Sequence, residues 1–266
     1  MSAYDRLMDD TRAAVIVGDI VEGLRAVIRR RGVSYSEYRQ AINFLAAAGE
    51  RSELPLLCDV LFESVVDEIT AGAPGTTDSN VEGPFFAAGA PTVKPGADGV
   101  AHLPMRPDEP GDRLVFTGVV RSTGGEPLPG AVLDVWQADG QGLYSRFAPG
   151  PPEWNLRGRV ITDADGRFAI GTVVPLAYDI PGEPHTARVL ELLGLEPHRP
   201  AHIHVKVERT GHVPLTTQVY FAGDPWLERD VVGAARPSLT TKLETADGPG
   251  GAGYTCQFDF TLAPVG

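Results

Sequence analysis

From Thr11 to Arg31 apolar residues return every three or four positions, at Val17, Ile20, Val21, Leu24, Val27 and Ile28. That spacing predicts a helix with one apolar stripe. Arg29, Arg30 and Arg31 suit the negative end of its dipole, and Gly32 ends it. A second helix is predicted from Ser34, with Glu37 placed to complete a capping box, through Phe44 and Leu45 to Gly49. A third begins near Ser52 with Pro55 in its first turn. It carries Leu56, Leu57, Val60, Leu61, Val65 and Val66 before an Ala71-Gly72 stop. Residues 1–72 therefore read as a helical segment. Its stripes exceed what one short helical layer can bury alone, so some face packs on the rest of the chain or on a second copy, and a homodimer contact is the expectation.

Between residues 73 and 112 the periodicity stops, and Gly75, Gly83, Pro84, Gly89, Pro91, Pro95, Gly96, Pro104, Pro107 and Pro110 punctuate the chain. Phe85 and Phe86 would be wasted in a solvated linker, so an ordered connector is expected. After Gly111 the period becomes two. Leu114–Val120, Ala131–Gln137, Arg159–Thr162, Phe168–Ile170, His202–Val207, Thr216–Phe221 and Thr255–Leu262 read as strands of an antiparallel sandwich over residues 113–266. Gly124-Gly125, Pro129-Gly130 and Asp165-Gly166 supply turns. The fold class is thus mainly β, with a helical N-terminal segment.

Composition narrows the partners. A chain of 266 residues with a formal net charge of -12 repels phosphate backbones and anionic lipid, which leaves small molecules and other copies of itself. Cys58 and Cys256, the only two cysteines, make neither a disulfide framework nor a thiolate cluster, and a reducing cytoplasm fits them. The first ten residues carry acids where a secretory signal carries bases, so none is expected. No uncharged apolar run approaches the roughly 18 residues of a membrane span.

Several motifs look like chemistry without supporting it. Asp163-Ala164-Asp165-Gly166 opens like a calcium loop, but Phe168 and Val174 stand where Gly and Glu are required, so a hairpin turn is expected. Gly248-Pro249-Gly250-Gly251-Ala252-Gly253 lacks the ending of a phosphate loop and reads as a loose loop. Ser145 is not in a nucleophile elbow, and a His-Glu-x-x-His helix is absent.

The stretch Arg199-Pro200-Ala201-His202-Ile203-His204-Val205-Lys206-Val207 is different. On a strand alternate side chains share a face, so His202 and His204 form a two-imidazole pincer, half of a metal site. The two cysteines are poor candidates to complete it, so oxygen donors are expected. Tyr144, just after a predicted core strand, and Tyr178, in a loop-like approach to Pro181, stand out, although either alone is an ordinary core filler. A carboxylate-completed zinc or cupin-type site using Asp134 or Glu208 is an alternative. So is a binding module without metal.

Over nearly its whole length the chain resembles the intradiol ring-cleavage dioxygenases of the catechol 1,2-dioxygenase type. The resemblance rests on Val81-Glu82-Gly83-Pro84-Phe85, on Leu133-Asp134-Val135-Trp136 through Tyr144, on Tyr178, on Arg199 through His204, and on Leu215-Thr216-Thr217-Gln218. It implies that Tyr144, Tyr178, His202 and His204 hold a non-haem ferric ion, Fe(III), in a sandwich with a helical dimerisation segment. Two phenolates suit oxidised iron, since a bound cation favours the phenol's anion. The resemblance further implies cleavage of a small aromatic diol by O2 to a cis,cis-muconate. Tyr178 is then both ligand and base, Arg199 stabilises charge on the ring, and Gln218 is an amide beside the metal. Leu56, Asp59, Val60, Val81, Pro84 and Phe85 are expected at the ring, with Cys256 at the pocket's far side and phospholipid at the helical interface. The mostly apolar wall favours catechol; Asp59, Val81 and Phe85 also suit hydroxyquinol, with maleylacetate as product. His102, His185, His198 and His212 match no ligand position.

Overall fold

Helix α1 (Asp10–Arg31) carries the predicted stripe, with its three arginines in the last turn. Helix α2 (Tyr35–Glu50) starts as its capping box requires: Ser34 Oγ accepts from Glu37 N at 3.3 Å, and Glu37 Oε2 accepts from Ser34 N at 2.8 Å. The computed structural model describes residues 10–70, 72–180, 183–248 and 251–265. It divides into two compact units, Met1–Leu54 and Pro55–Gly266. Within the first, Val17, Ile20 and Leu24 remain more than half exposed, at 56 %, 56 % and 60 %.

The third predicted helix changes pitch midway. It begins as α3 (Leu54–Cys58), widens into a π-turn over Asp59–Glu63, and resumes as α4 (Ser64–Thr70). Leu56, Asp59, Val60 and Glu63, spaced i, i+3, i+4 and i+7 as on one helical face, line one wall. Ala71 of the expected stop lies outside the described residues.

Six of the seven predicted strands are present in the second unit and the seventh is divided in two, and together they lie in two sheets with a shared core. One sheet runs β1 (Ala101–His102), β5 (Arg167–Val173), β2 (Arg113–Ser122), β12 (Gly251–Gln257), β11 (Glu244–Gly248), with β13 (Phe260–Leu262) also on β2. The other runs β10 (Thr240–Thr241), β9 (Leu215–Phe221), β8 (His202–Glu208), β3 (Val132–Gln137), β4 (Arg157–Ile161). A two-stranded ladder joins β6 (Tyr178–Asp179) to β7 (His198–Arg199). Phe116, Phe168, Ile170 and Phe260 face Leu133, Val135, Ile203, Val205 and Val219 across the sheets, all buried. The helix α5 (Pro184–Leu193), ended by Gly194 at φ +68°, was not anticipated.

The sandwich is not purely antiparallel. β1 runs parallel to β5, β10 to β9, and both β12 and β13 to β2. A two-residue period reports which face is buried and carries no information on direction. Thr255–Leu262 is two strands, interrupted where Phe258 N donates to Thr117 O at 2.9 Å and Asp259 Oδ1 accepts from Val119 N at 3.0 Å. Gly118 is required there, since a Cβ on it would sit 1.9 Å from Phe258 O. The turn at Asp163–Gly166 is no hairpin: it passes the chain from β4 in one sheet to β5 in the other, with Asp163 Oδ1 accepting from Asp165 N and Arg167 N. Nor is the glycine-rich run a loose loop. Gly248 pairs with Gly251 and Asp247 with Ala252 in β11 and β12, while Pro249 and Gly250 lie outside the described residues.

Candidate active site

The two histidines occupy β8, a central strand hydrogen-bonded to β3 and β9. Alternation sends Ile203 and Val205 into the core and turns His202 and His204 the other way, both 1 % exposed. Trp136, opposite His204 on β3, stacks on its ring at 4.6 Å and 10°. His202 Nδ1 lies 2.7 Å from Pro200 O, and since a carbonyl only accepts, Nδ1 carries the proton and Nε2 presents a lone pair. That Nε2 is 3.0 Å from His204 Nε2, and Tyr144 Oη stands 3.5 Å from the first and 3.2 Å from the second. His204 Nδ1 is buried without a protein partner.

Tyr144 reaches this point from the loop after β3. Asp139, fully buried, shapes that loop by accepting from Gln141 N and Leu143 N at 2.8 and 2.9 Å, and Arg106 neutralises it at 2.8 Å. Gly142, at φ +80°, lets the loop pass Tyr178, whose Cβ a side chain there would meet at 3.0 Å. Tyr178 is held by β6 pairing with Arg199 on β7. Its ring lies 5.3 Å from Tyr144 and 5.7 Å from His202. The four side chains singled out from sequence, separated by up to 60 positions, thus share one site.

Burial governs their ionisation. It raises the Tyr144 phenol well above its ordinary range, with Tyr178 adding to the effect, and raises Tyr178 against the pull of Arg199. It also lowers His202 to about 3, with Arg199 assisting, and His204 well below the usual imidazole range, with His202 assisting. Two neutral imidazoles with converging Nε2 atoms and two phenols that ionise only beside a strong positive centre form a fitting donor set for a trivalent cation. Among the described residues no cluster of three or more His, Cys, Asp or Glu side chains assembles for a metal, so the alternative using Asp134 or Glu208 is not built. Asp134 instead stands 4.0 Å from Arg159.

Arg199 is buried over the site. Nε donates to Asp230 Oδ1 at 3.0 Å, and Nη2 donates to Asp230 Oδ2 at 3.1 Å, Gln218 Oε1 at 3.0 Å and Tyr220 Oη at 3.1 Å. Burial opposes its charge, but Asp230 more than restores it, and the pKa lies well above the ordinary arginine value. Gln218, opposite His204 on β9, donates to Val81 O at 2.7 Å and so ties the connector to the sheet. Asp230 and Tyr220 had no sequence signal: one lies 31 positions from Arg199, and the other looks like any strand tyrosine.

A cavity opens beside this group. Leu56, Asp59, Val60, Val81, Pro84 and Phe85 all line it, together with Arg199, Tyr178 and His204. Phe85 stacks on Tyr144 at 4.4 Å and 18°. Cys256 does not belong to it. It pairs with Phe116 in the core between the sheets, where burial pushes its thiol up to about 12, because β12 runs along β2 and away from the histidine sheet. Its place on the wall is taken by Val232 with Ile180 and Glu63, none of which the sequence marked. His102 faces Asp98 and His198 faces Asp179, both away from the cluster.

The fold and this cluster define a sandwich with a phenol and imidazole centre. A family model described as Dioxygenase matches residues 81–264, and one described as Catechol dioxygenase N terminus matches residues 10–77. A chlorocatechol 1,2-dioxygenase of Rhodococcus opacus is 39 % identical over 259 residues, covering 96 % of this chain and 99 % of its own length. Catechol 1,2-dioxygenase 2 of Acinetobacter lwoffii is 39 % identical over 243 residues, covering 89 % and 86 %. The crystal structure of hydroxyquinol 1,2-dioxygenase from Pseudomonas putida DLL-E4 superposes with a TM-score of 0.87 at 30 % identity, over 97 % of this chain and 94 % of that one. The chain belongs to the intradiol ring-cleavage dioxygenases of the catechol 1,2-dioxygenase family and is an intradiol dioxygenase.

Proposed function

We infer that this enzyme opens catechol, or a catechol with small substituents, between the two hydroxyl-bearing carbons, incorporating both atoms of O2 to give a cis,cis-muconate. Tyr144, Tyr178, His202 and His204 would hold non-haem Fe(III). The observation that carries this is the convergence of the two histidine Nε2 atoms with the Tyr144 hydroxyl, within 3.0 to 3.5 Å of one another. When bound, the ion supplies Lewis acidity and draws electron density from the diol. Tyr178, which lines the cavity where Tyr144 does not, would be both a ligand of the ion and the base that takes the diol's proton. Arg199, kept charged by Asp230, faces the ring and stabilises negative charge there, and Gln218 fixes its direction. Leu56, Val60, Val81, Pro84 and Phe85 give the apolar slot that an unsubstituted ring needs.

A second reading, hydroxyquinol to maleylacetate, is favoured by the two carboxylates in the same wall. Burial raises Asp59, and burial and then Asp59 raise Glu63, so either can meet a third hydroxyl. The helical segment of residues 1–72 is assigned to a homodimer contact with phospholipid, supported by the exposed stripe of α1. The connector of residues 73–112 supplies Val81, Gly83, Pro84 and Phe85 to the pocket.

Purified protein loaded with iron is expected to be reddish from phenolate charge transfer. It should take up O2 with catechol faster than with methylcatechols, chlorocatechols or hydroxyquinol. A colourless protein carrying one iron per chain overturns the ligand set. Hydroxyquinol turned over at least tenfold faster than catechol replaces the first reading with the second.

A further inference from the structure

Arg157, the first residue of β4, is 1 % exposed, and its guanidinium reaches two segments far apart in sequence. Nε donates to Ser145 Oγ at 2.8 Å and Nη2 to Ser145 O at 3.0 Å, while Nη1 donates to Phe85 O at 2.8 Å. Ser145 Oγ donates to Asn155 O at 2.9 Å, which leaves the hydroxyl as an acceptor toward Arg157. Every one of these acceptors is neutral. No carboxylate of the described residues forms an ion pair with Arg157, and burial lowers its pKa to about 10.

A buried cation without an ion-pair partner gives little stability that a well-packed apolar side chain would lack. What it adds is geometry, because a planar fork with fixed donor directions holds two backbones at a set angle and separation. The backbones in question are those of Tyr144-Ser145 and Phe85. Their rings lie stacked at 4.4 Å, the guanidinium stands 5.9 Å from the Tyr144 ring centre, and it stands 5.5 Å from that of Phe147. Tyr178 is held differently: its hydroxyl hydrogen-bonds Tyr144 and Arg199, and its ring meets Tyr144 and Phe85 edge-on at 5.3 and 6.1 Å. Its backbone, however, is paired in a strand only two residues long and, among the described residues, no side chain donates to it.

We propose that Arg157 is a positioning residue that locks Tyr144 and Phe85 into one rigid wall, making Tyr144 the fixed phenol of the pair and leaving Tyr178 as the one that can be displaced. The role assigned to the two phenols rests on the function proposed above, but the restraint itself does not require metal. Each phenol has the same donor atom, but Tyr144 is held through a side-chain clamp on the backbone behind it and Tyr178 through contacts of its own hydroxyl.

Hydrogen exchange of the full chain without metal tests this, using wild type, Arg157→Met and Arg157→Lys. Phe147 N and Ala148 N, which donate to Tyr144 O, are natural reporters. In Arg157→Met the amides of residues 145–148 and 85–87 should exchange at least tenfold faster, with residues 178–180 and β8 unchanged. Lysine keeps the charge but cannot reach both backbones in a plane, so Arg157→Lys should show faster exchange at one of the two segments. In the iron-loaded variants the visible charge-transfer band should move, and KM for catechol should rise more than kcat falls. Unchanged exchange at both segments in Arg157→Lys, or equal quickening at residues 178–180, overturns the proposal, and the lysine variant decides even where the methionine variant does not fold. A wild-type protein that binds no iron refutes the proposed function while the exchange comparison still stands.

Discussion

His202 and His204 were legible from sequence because a single local rule, alternation on a strand, places them together. Tyr144 and Tyr178 were not separable from core tyrosines by any local rule, and the family likeness singled them out. If Tyr178 is the displaced base, Tyr178→Phe leaves three donors in place. Turnover should fall by about a hundredfold or more, the scale of a lost general base, with iron largely retained. His204→Ala should lose the iron, and metal analysis showing equal loss in both variants would contradict the assignment. Asp134, two positions from Trp136, offers a separate test at this scale. Burial raises its carboxyl from 3.8 to about 6, against Arg159 and Lys206. The folded chain therefore holds that proton more tightly than the unfolded one, and the resulting stabilisation is complete below about 3.8 and lost as the pH rises through about 6. Asp134→Asn should raise the Tm at pH 7.5 and change it little at pH 4; equal shifts in thermal unfolding at both would be inconsistent.

Among the elements, most of those specified by neighbours in sequence came out as read. The capping box at Ser34 is complete, and Ser34→Ala should cost roughly 1 kcal/mol in denaturant unfolding of the helical unit, with Ser34→Asp close to neutral. Elements defined by distant partners did not come out as read. The parallel pairs on β2 and the crossing turn at Asp163 depend on which strand lies alongside, which periodicity does not encode. Helix α5 was passed over although Pro184 and Gly194 mark its two ends. The π-turn at Asp59–Glu63 has an ordinary helical sequence, so it was not legible there; within it Val60 packs with Val81, Ile180 and Val232, which come from distant parts of the chain.

At the scale of the whole molecule, the exposed stripe of α1 leads to a definite expectation. Sedimentation at micromolar concentration should give twice the 28.3 kDa of one chain, and Leu24→Glu should shift it toward the single chain. A wild-type monomer there would remove the dimer assignment. The sequence by itself determined most of the helical and strand segments, the histidine pincer and the acidic surface, because each follows from residue type and short-range spacing, while the pocket wall was expected only through the family resemblance. Tertiary structure alone decided strand direction, the exclusion of Cys256 in favour of Val232, the Asp230 carboxylate that keeps Arg199 charged, and the clamp that Arg157 forms. These depend on chain segments meeting across tens to more than a hundred positions, and the free energy that brings them together comes from burying a shared core rather than from any local preference.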